Sequence, residues 1–174
     1  MQTAGILTRC AWQGIGFIAL LVFVSGGAVV ADADTGVQMV SRGESRFTIL
    51  TEFKGQAVRD TATGLIWELT PQSGVYDWET AHQRCSASSV GGHTGWRIPT
   101  LDELRTLIDP TMIDVKLPAG HPFSRVESAL YWSATKSRPD APYAWTVNFS
   151  SGSAMALERY MAGFVWCVRD RTTD

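Results

Sequence analysis

The chain has 174 residues, enough for one domain and a targeting segment, and its formal net charge of -2 implies neither a polycationic nor a polyanionic partner; nucleic acid is excluded on that ground. Hydrophobic residues make up 45%, and part of that share lies in the first thirty positions. Seven Trp, 16 Gly and 7 Pro point to a loop-rich, strand-containing domain with many turns.

The N-terminus reads as an export signal. Arg9 is the one charge before the apolar run, which spans Gly14 to Val30, and small residues follow at Ala31 and Ala33. Cleavage after either alanine fits the signal-peptidase pattern, so residues 1–33 are expected to leave a periplasmic or secreted protein. The alternative is an uncleaved anchor, the one case in which a membrane is a partner; the run is at the short edge of what spans a bilayer. Cys10 precedes the apolar run and follows an arginine, which does not suit a lipoprotein site. Removing the leader removes Cys10 and leaves Cys85 and Cys167, with a single intramolecular pairing that an oxidising compartment favours. Free thiols or a metal pair are the alternatives, and zinc lacks further ligands at close spacing.

Residues 34–56 are expected to be a polar leader with one early edge strand, Phe47 to Leu50. The compact domain is expected over 57–171. It opens with a hairpin: Asp60-Thr-Ala-Thr-Gly64 has an acid at the start of a tight reversal and glycine at its end, between Val58 and the run Leu65-Ile66-Trp67. Thr70 to Val75 reads as a loop. Asp77 then caps a helix whose Trp78, Ala81 and Cys85 share one face. A second helix follows at Thr100. Thr100 and Glu103 form a capping box, Pro99 sets the entry angle, and Leu101, Leu104, Leu107 and Ile108 make the apolar face before Asp109-Pro110 ends it.

Capping accounts for Pro99 and Thr100 but not for Trp96 and Arg97 just before them. Trp96 is expected in the core, and Arg97 to tie the corner by pairing with a carboxylate such as Asp102 or Glu103. From Pro110 to Arg125 the chain is irregular. Strands follow at Leu130–Thr135, Ala144–Phe149 and, after a turn at Ser150-Ser-Gly152, Ser153–Leu157. Phe164 to Asp170 reads as one closing strand, with Val165, Cys167 and Arg169 on one face and Phe164, Trp166 and Val168 on the other. The order is α+β: two helices packed on small antiparallel sheets.

The segments DTATGLIW, DWETAHQRC, GWRIPTLDEL, YWSAT, AWTVNFSSG and VWCVRD resemble, in order, the landmarks of the domain named after the C-terminal part of the Legionella collagen-like adhesin. That bacterial group is similar to the C-type-lectin-like and formylglycine-generating-enzyme folds. The resemblance implies a C-type-lectin-like domain with a bridge from first helix to last strand, the same Cys85–Cys167 pairing. Formylglycine-generating members hold copper with a cysteine pair; here both mature cysteines occupy structural positions, which speaks against that enzyme. Calcium-dependent lectins use motifs that Arg138-Pro139-Asp140 and Trp145-Thr-Val-Asn148 do not match.

No catalytic or metal constellation emerges. His82, His93 and His121 share no ligand spacing, and Ser133 and Ser151 lack a nucleophile context. No cofactor is expected. The candidate binding edge is Trp132, Lys136, Arg138, Asp140, Tyr143, Trp145 and Asn148, around the loop between two strands: aromatic faces that stack on sugar or peptide, beside basic and amide groups that orient it. The expected function is an exported, non-enzymatic binding domain for a glycan, sulfated or of the envelope, or for a surface protein. A structural partner in an envelope complex is the alternative, and a metal-dependent periplasmic enzyme a lesser one.

Overall fold

The computed structural model describes residues 45–139 and 141–171, together with two short strands, β1 (Val29–Val30) and β2 (Gln38–Met39). The chain divides into two compact units, Met1–Glu44 and Ser45–Asp174. In the first, β1 pairs antiparallel with β2. The export-leader assignment and both cleavage positions otherwise lie outside the described residues. Among those described, no helix is long and apolar enough to cross a membrane.

The second unit begins with β3 (Phe47–Leu50), β4 (Ala57–Asp60) and β5 (Ile66–Glu68). The reversal between β4 and β5 forms as its residues dictate. Asp60 accepts from the Ala62 N–H and the Thr63 hydroxyl, and Gly64 takes a φ of 77° that a side chain would strain. Strand β3 lines up on β4 from Phe47↔Asp60 to Leu50↔Ala57 and is the outer strand. Next come β6 (Gln72–Tyr76), α1 (Trp78–Ser86) and α2 (Leu101–Thr106). Both helix starts follow the local chemistry: Asp77 accepts from the Thr80 N–H, and Thr100 and Glu103 cap each other's backbone. Trp78, Ala81 and Cys85 are buried on one face of α1.

The last third supplies β7 (Leu130–Lys136), β8 (Tyr143–Asn148), β9 (Ala154–Glu158), β10 (Gly163–Val165) and β11 (Val168–Arg169). Two sheets result, in the orders β6-β10-β7-β8-β9 and β11-β5-β4-β3. The architecture is α+β and loop-rich, with two helices and two sheets.

Three features differ from the sequence reading. The segment read as a loop after Thr70 contains β6, which pairs antiparallel with β10 across a register shift. Its residues are mostly exposed and include Gly74 at a φ of 88°, so it carries no alternation of buried and exposed positions. The closing run is two strands, not one. Its alternation holds, with Val165 and Cys167 in one apolar cluster and Trp166 and Val168 in another. Its backbone pairing, however, passes from one sheet to the other at Trp166–Cys167. Finally, β10 runs parallel to β7, so the larger sheet is mixed.

The first cluster packs Trp166 against Phe123, Phe149, Tyr131 and Trp67, with Leu104 and Leu107 from the region of α2. The second packs α1, Trp96 and Ile98 around the bridge that joins Cys85 to Cys167, whose Cα atoms are 5.4 Å apart.

The Trp-Arg corner binds these parts together. Trp96 is buried, and its Nε1–H donates to the His93 carbonyl. Arg97 pairs its backbone with Val168 in both directions. Its guanidinium grips both oxygens of Glu103 at 2.8 Å and reaches Asp170 at 2.8 Å. Its pKa is driven up, chiefly by the Glu103 hydrogen bonds against the opposing effect of burial. Glu103 thus caps α2 and, with the same carboxylate, holds the Arg97 side chain whose backbone pairs with the C-terminal strand.

A more deeply buried acid behaves differently. Glu68 at the end of β5 is almost fully enclosed and accepts from Gln72 Nε2 at 2.6 Å, Ser88 Oγ at 2.9 Å and the Cys167 N–H at 3.3 Å. Burial outweighs these bonds and pushes its carboxyl up to about 6 from 4.5. A raised carboxyl pKa means that the folded state holds the proton more tightly. The associated stability is therefore fully present below about pH 4.5 and lost as pH rises through about 6, a change of roughly 2 kcal/mol. Denaturation midpoints measured from pH 4 to 7.5 should show this loss, and Glu68→Gln should remove it; a parallel pH profile in the variant refutes the assignment.

Candidate binding edge

The candidate edge is built on the hairpin of β7 and β8. Leu130, Tyr131 and Trp132 pair with Asn148, Val147 and Thr146, and after an irregularity Lys136 pairs with Ala144. Within that irregularity β7 bonds elsewhere. The Ala134 N–H donates to the Pro99 carbonyl, and the Thr135 hydroxyl accepts from the Leu101 N–H. The start of α2 is thereby pinned to the strand leading into the loop. The Ser133 hydroxyl donates to the Trp145 carbonyl and accepts from the Thr135 N–H, which satisfies backbone groups that the bulge leaves over.

The predicted binding residues do not form one patch. Trp132 is 0% exposed, its Nε1–H donates to the Tyr76 carbonyl, and a Cβ on Gly163 would come within 2.8 Å of that nitrogen. It belongs to the core and does not reach a surface ligand. Asn148 lies at the far end of β8, about 16 Å along the strand from Tyr143. Its Oδ1 accepts from the Ser150 N–H and hydroxyl, so it shapes the β8–β9 turn. Trp145 is half-buried against the cluster that contains Leu104. Lys136 extends over the Trp78 ring of the other cluster, 5.7 Å from its centre, on the opposite side of the sheet. Arg138 is exposed, and Asp140 lies outside the described residues. An aromatic can be assigned to a strand from sequence, but strand alternation sends neighbouring residues to opposite faces, and which face is covered depends on both helices.

What the fold brings to the loop instead is the end of β9. Tyr143 pairs with Glu158 across the strands, and its hydroxyl donates to Glu158 Oε1 at 2.8 Å. Hydrogen bonds from Tyr160 and then Tyr143 hold the Glu158 carboxyl below its usual range. The same carboxylate raises both phenols. Tyr160 is 74% exposed and Tyr143 38%. Arg159 lies over the Trp78 ring at 4.1 Å and forms an ion pair with Glu79. Its backbone N–H donates to the Pro142 carbonyl, while its own carbonyl accepts from the Trp78 N–H. These contacts frame a hollow of about 420 Å³ lined by Asp77, Glu79, Pro142, Arg159 and Tyr160.

Sequence reasoning passed over Glu158, Arg159 and Tyr160. The signal available was the run Glu158-Arg-Tyr-Met161, which puts large side chains at a turn and lacks the alternation of a strand. Lys136 and Arg138 make no ion pair among the described residues. The edge therefore offers two exposed aromatic faces, a carboxylate already bridged by phenols, and two cations open to an anionic partner. Among the described residues no group of three His, Cys, Asp or Glu side chains converges as a metal site.

The family model described as the Lcl C-terminal domain matches residues 56–169, well over half of the chain. No curated protein matches it.

Proposed function

The chain belongs to the Lcl C-terminal domain family, and from that premise we propose that it is a secreted or surface-exposed, non-enzymatic binding domain, adhesin-like in role, released by cleavage of a leader over residues 1–33. Its ligand in this reading is an acidic glycan, sulfated or of the envelope, taken at the end of the β7–β8 hairpin. The supporting observation is that the exposed rings of Tyr143 and Tyr160 and the exposed cations Lys136 and Arg138, which make no ion pair among the described residues, all lie at the loop end of this hairpin. Tyrosine faces take up the apolar face of a sugar ring, and basic side chains hold sulfate or carboxylate groups. With a net charge of -2 the attraction is local, so binding weakens steeply with salt.

Immobilised heparin and dextran sulfate, with neutral dextran as control, test this reading. Wild-type protein should be retained on the two acidic polymers at low salt. Lys136→Ala with Arg138→Ala should lower affinity about tenfold or more, in line with the loss of two charge-assisted contacts of ~1 kcal/mol each, and should flatten the salt dependence. Tyr160→Ala should weaken binding without changing the salt slope. Equal retention of wild type and the double variant, or none by wild type, rejects the glycan assignment.

A further inference from the structure

Away from the β7–β8 hairpin, a second hollow of about 650 Å³ opens between the outer side of α1, the turn that follows it and the start of β6. Gln72, Thr80, Gln83, Ser88 and Ser89 line it together with Arg84. Five of its eight lining residues carry hydroxyl or amide groups, and apolar surface is present as well, from Ala87 and Val90 among others. Its volume is in the range of small-molecule sites.

Arg84 is the distinctive group. Its guanidinium carbon sits 4.1 Å from the centre of the Tyr76 ring, which holds the planar fork in place. It makes no ion pair among the described residues, although its charge acts on the Glu68 carboxylate behind the wall, and its Nε is enclosed with no hydrogen-bond partner. The walls are organised from beneath. Gln72 Nε2 and Ser88 Oγ both donate to Glu68 Oε1, which fixes these two side chains and leaves the Gln72 amide oxygen and the serine lone pairs as acceptors. A pre-positioned cation surrounded by immobilised neutral donors and acceptors matches a ligand with one negative charge and several hydroxyls. A neutral sugar leaves the guanidinium unmatched, and a simple aliphatic acid leaves the amides and hydroxyls unmatched. A dianion such as phosphate meets one cation only, with the Glu68 carboxylate behind it.

We propose that this groove binds a sugar acid of the hexuronate type, with the carboxylate on Arg84 and the ring hydroxyls on Gln72, Gln83 and the serines. The site is separate from the β7–β8 edge and does not depend on the assignment made there. Free uronic acid and the uronate at the end of a glycan chain present the same group.

Nuclear magnetic resonance titration of the folded domain with D-glucuronate, D-galacturonate, glucose and acetate decides the matter. A uronate should bind at least tenfold more tightly than glucose or acetate and should shift the Gln72 and Gln83 side-chain amides. Arg84→Gln should lower that affinity at least tenfold while the amide spectrum away from the groove stays that of the folded wild type. Gln83→Ala, on the exposed wall, should weaken it several-fold. Lys136→Ala/Arg138→Ala should leave it intact, which separates this site from the other. Uniform weak shifts for all four compounds, or an Arg84→Gln variant that binds uronate as wild type does, overturn the proposal. Oligogalacturonate that binds as tightly as the monomer assigns the groove to chain ends, and binding lost on extension assigns it to the free acid; both outcomes uphold the site.

Discussion

Replacing Cys85 and Cys167 together by alanine should lower the unfolding free energy by about 4–5 kcal/mol. The two residues are 82 positions apart, so the bridge closes most of the second unit into one covalent loop and restricts the unfolded chain accordingly. Its position adds to the effect. Cys85 lies on the buried face of α1, and Cys167 stands where the closing run changes sheets. Both are fully buried, and the Cys167 N–H donates to Glu68. Without the bridge, the segment between β10 and β11 is held by those two short strands, by its hydrogen bonds to Glu68 and by the packing of Trp166. Urea unfolding of the wild type, of the wild type reduced after denaturation, and of the double variant measures this. The reduced protein and the variant should agree with each other and lie well below the oxidised form. A midpoint that stays within a few tenths of a molar of the oxidised protein would show that the bridge is incidental to the fold.

Arg46→Leu should cost roughly 2–4 kcal/mol, the range for breaking a buried pair from one side, reduced because Arg46 is itself 30% exposed. Its guanidinium bonds both oxygens of Asp60, at 2.8 and 2.7 Å, and also donates to the Thr106 carbonyl at 2.8 Å. The start of β3, the β4–β5 turn and the end of α2 therefore meet at one side chain. Asp60 is 0% exposed. Burial acts to raise its pKa, yet Arg46, the Ala62 N–H and the Thr63 hydroxyl together hold it below the ordinary carboxylate range. A depressed carboxyl contributes stability that is present above its unfolded pKa, near 4, and is lost as pH falls through the folded value. Arg46→Leu should weaken that dependence as well as lower stability at neutral pH. The double variant Arg46→Leu/Asp60→Asn should recover part of the loss, because it removes the stranded charge. No recovery in that cycle would mean that Arg46 acts through Thr106 alone.

These two devices are opposite in how far they could be read in advance. Counting cysteines after removal of the leader leaves one intramolecular pair, so the bridge needed no geometry. The Asp60 turn was also legible, but its partner was not. Arg46 is fourteen residues away in a stretch that reads as a polar leader. The same division runs through the site. The loop between β7 and β8 and the aromatic character of its flanks are visible in the chain. That Trp132 is enclosed, that Trp145 and Lys136 lie on opposite sides of the sheet, and that Tyr160 comes to Tyr143 by way of Glu158 are not.

By itself the sequence determined what short-range chemistry determines: the acid-to-glycine turn at Asp60–Gly64, the Asp77 cap, the Thr100–Glu103 box and the hairpin around Ser150–Gly152. In each, donor and acceptor lie within a few residues, so composition and spacing already satisfy the backbone. Tertiary structure alone decided that Gln72–Tyr76 is a strand, that the closing run divides between two sheets, and that Glu68 stands behind a groove with Arg84 at its wall. Those outcomes depend on pairing between Gln72 and Val165 and on burial shared by Glu68, Ser88 and Cys167. An edge strand without alternation and a buried acid look like a loop and a surface charge until distant segments close over them.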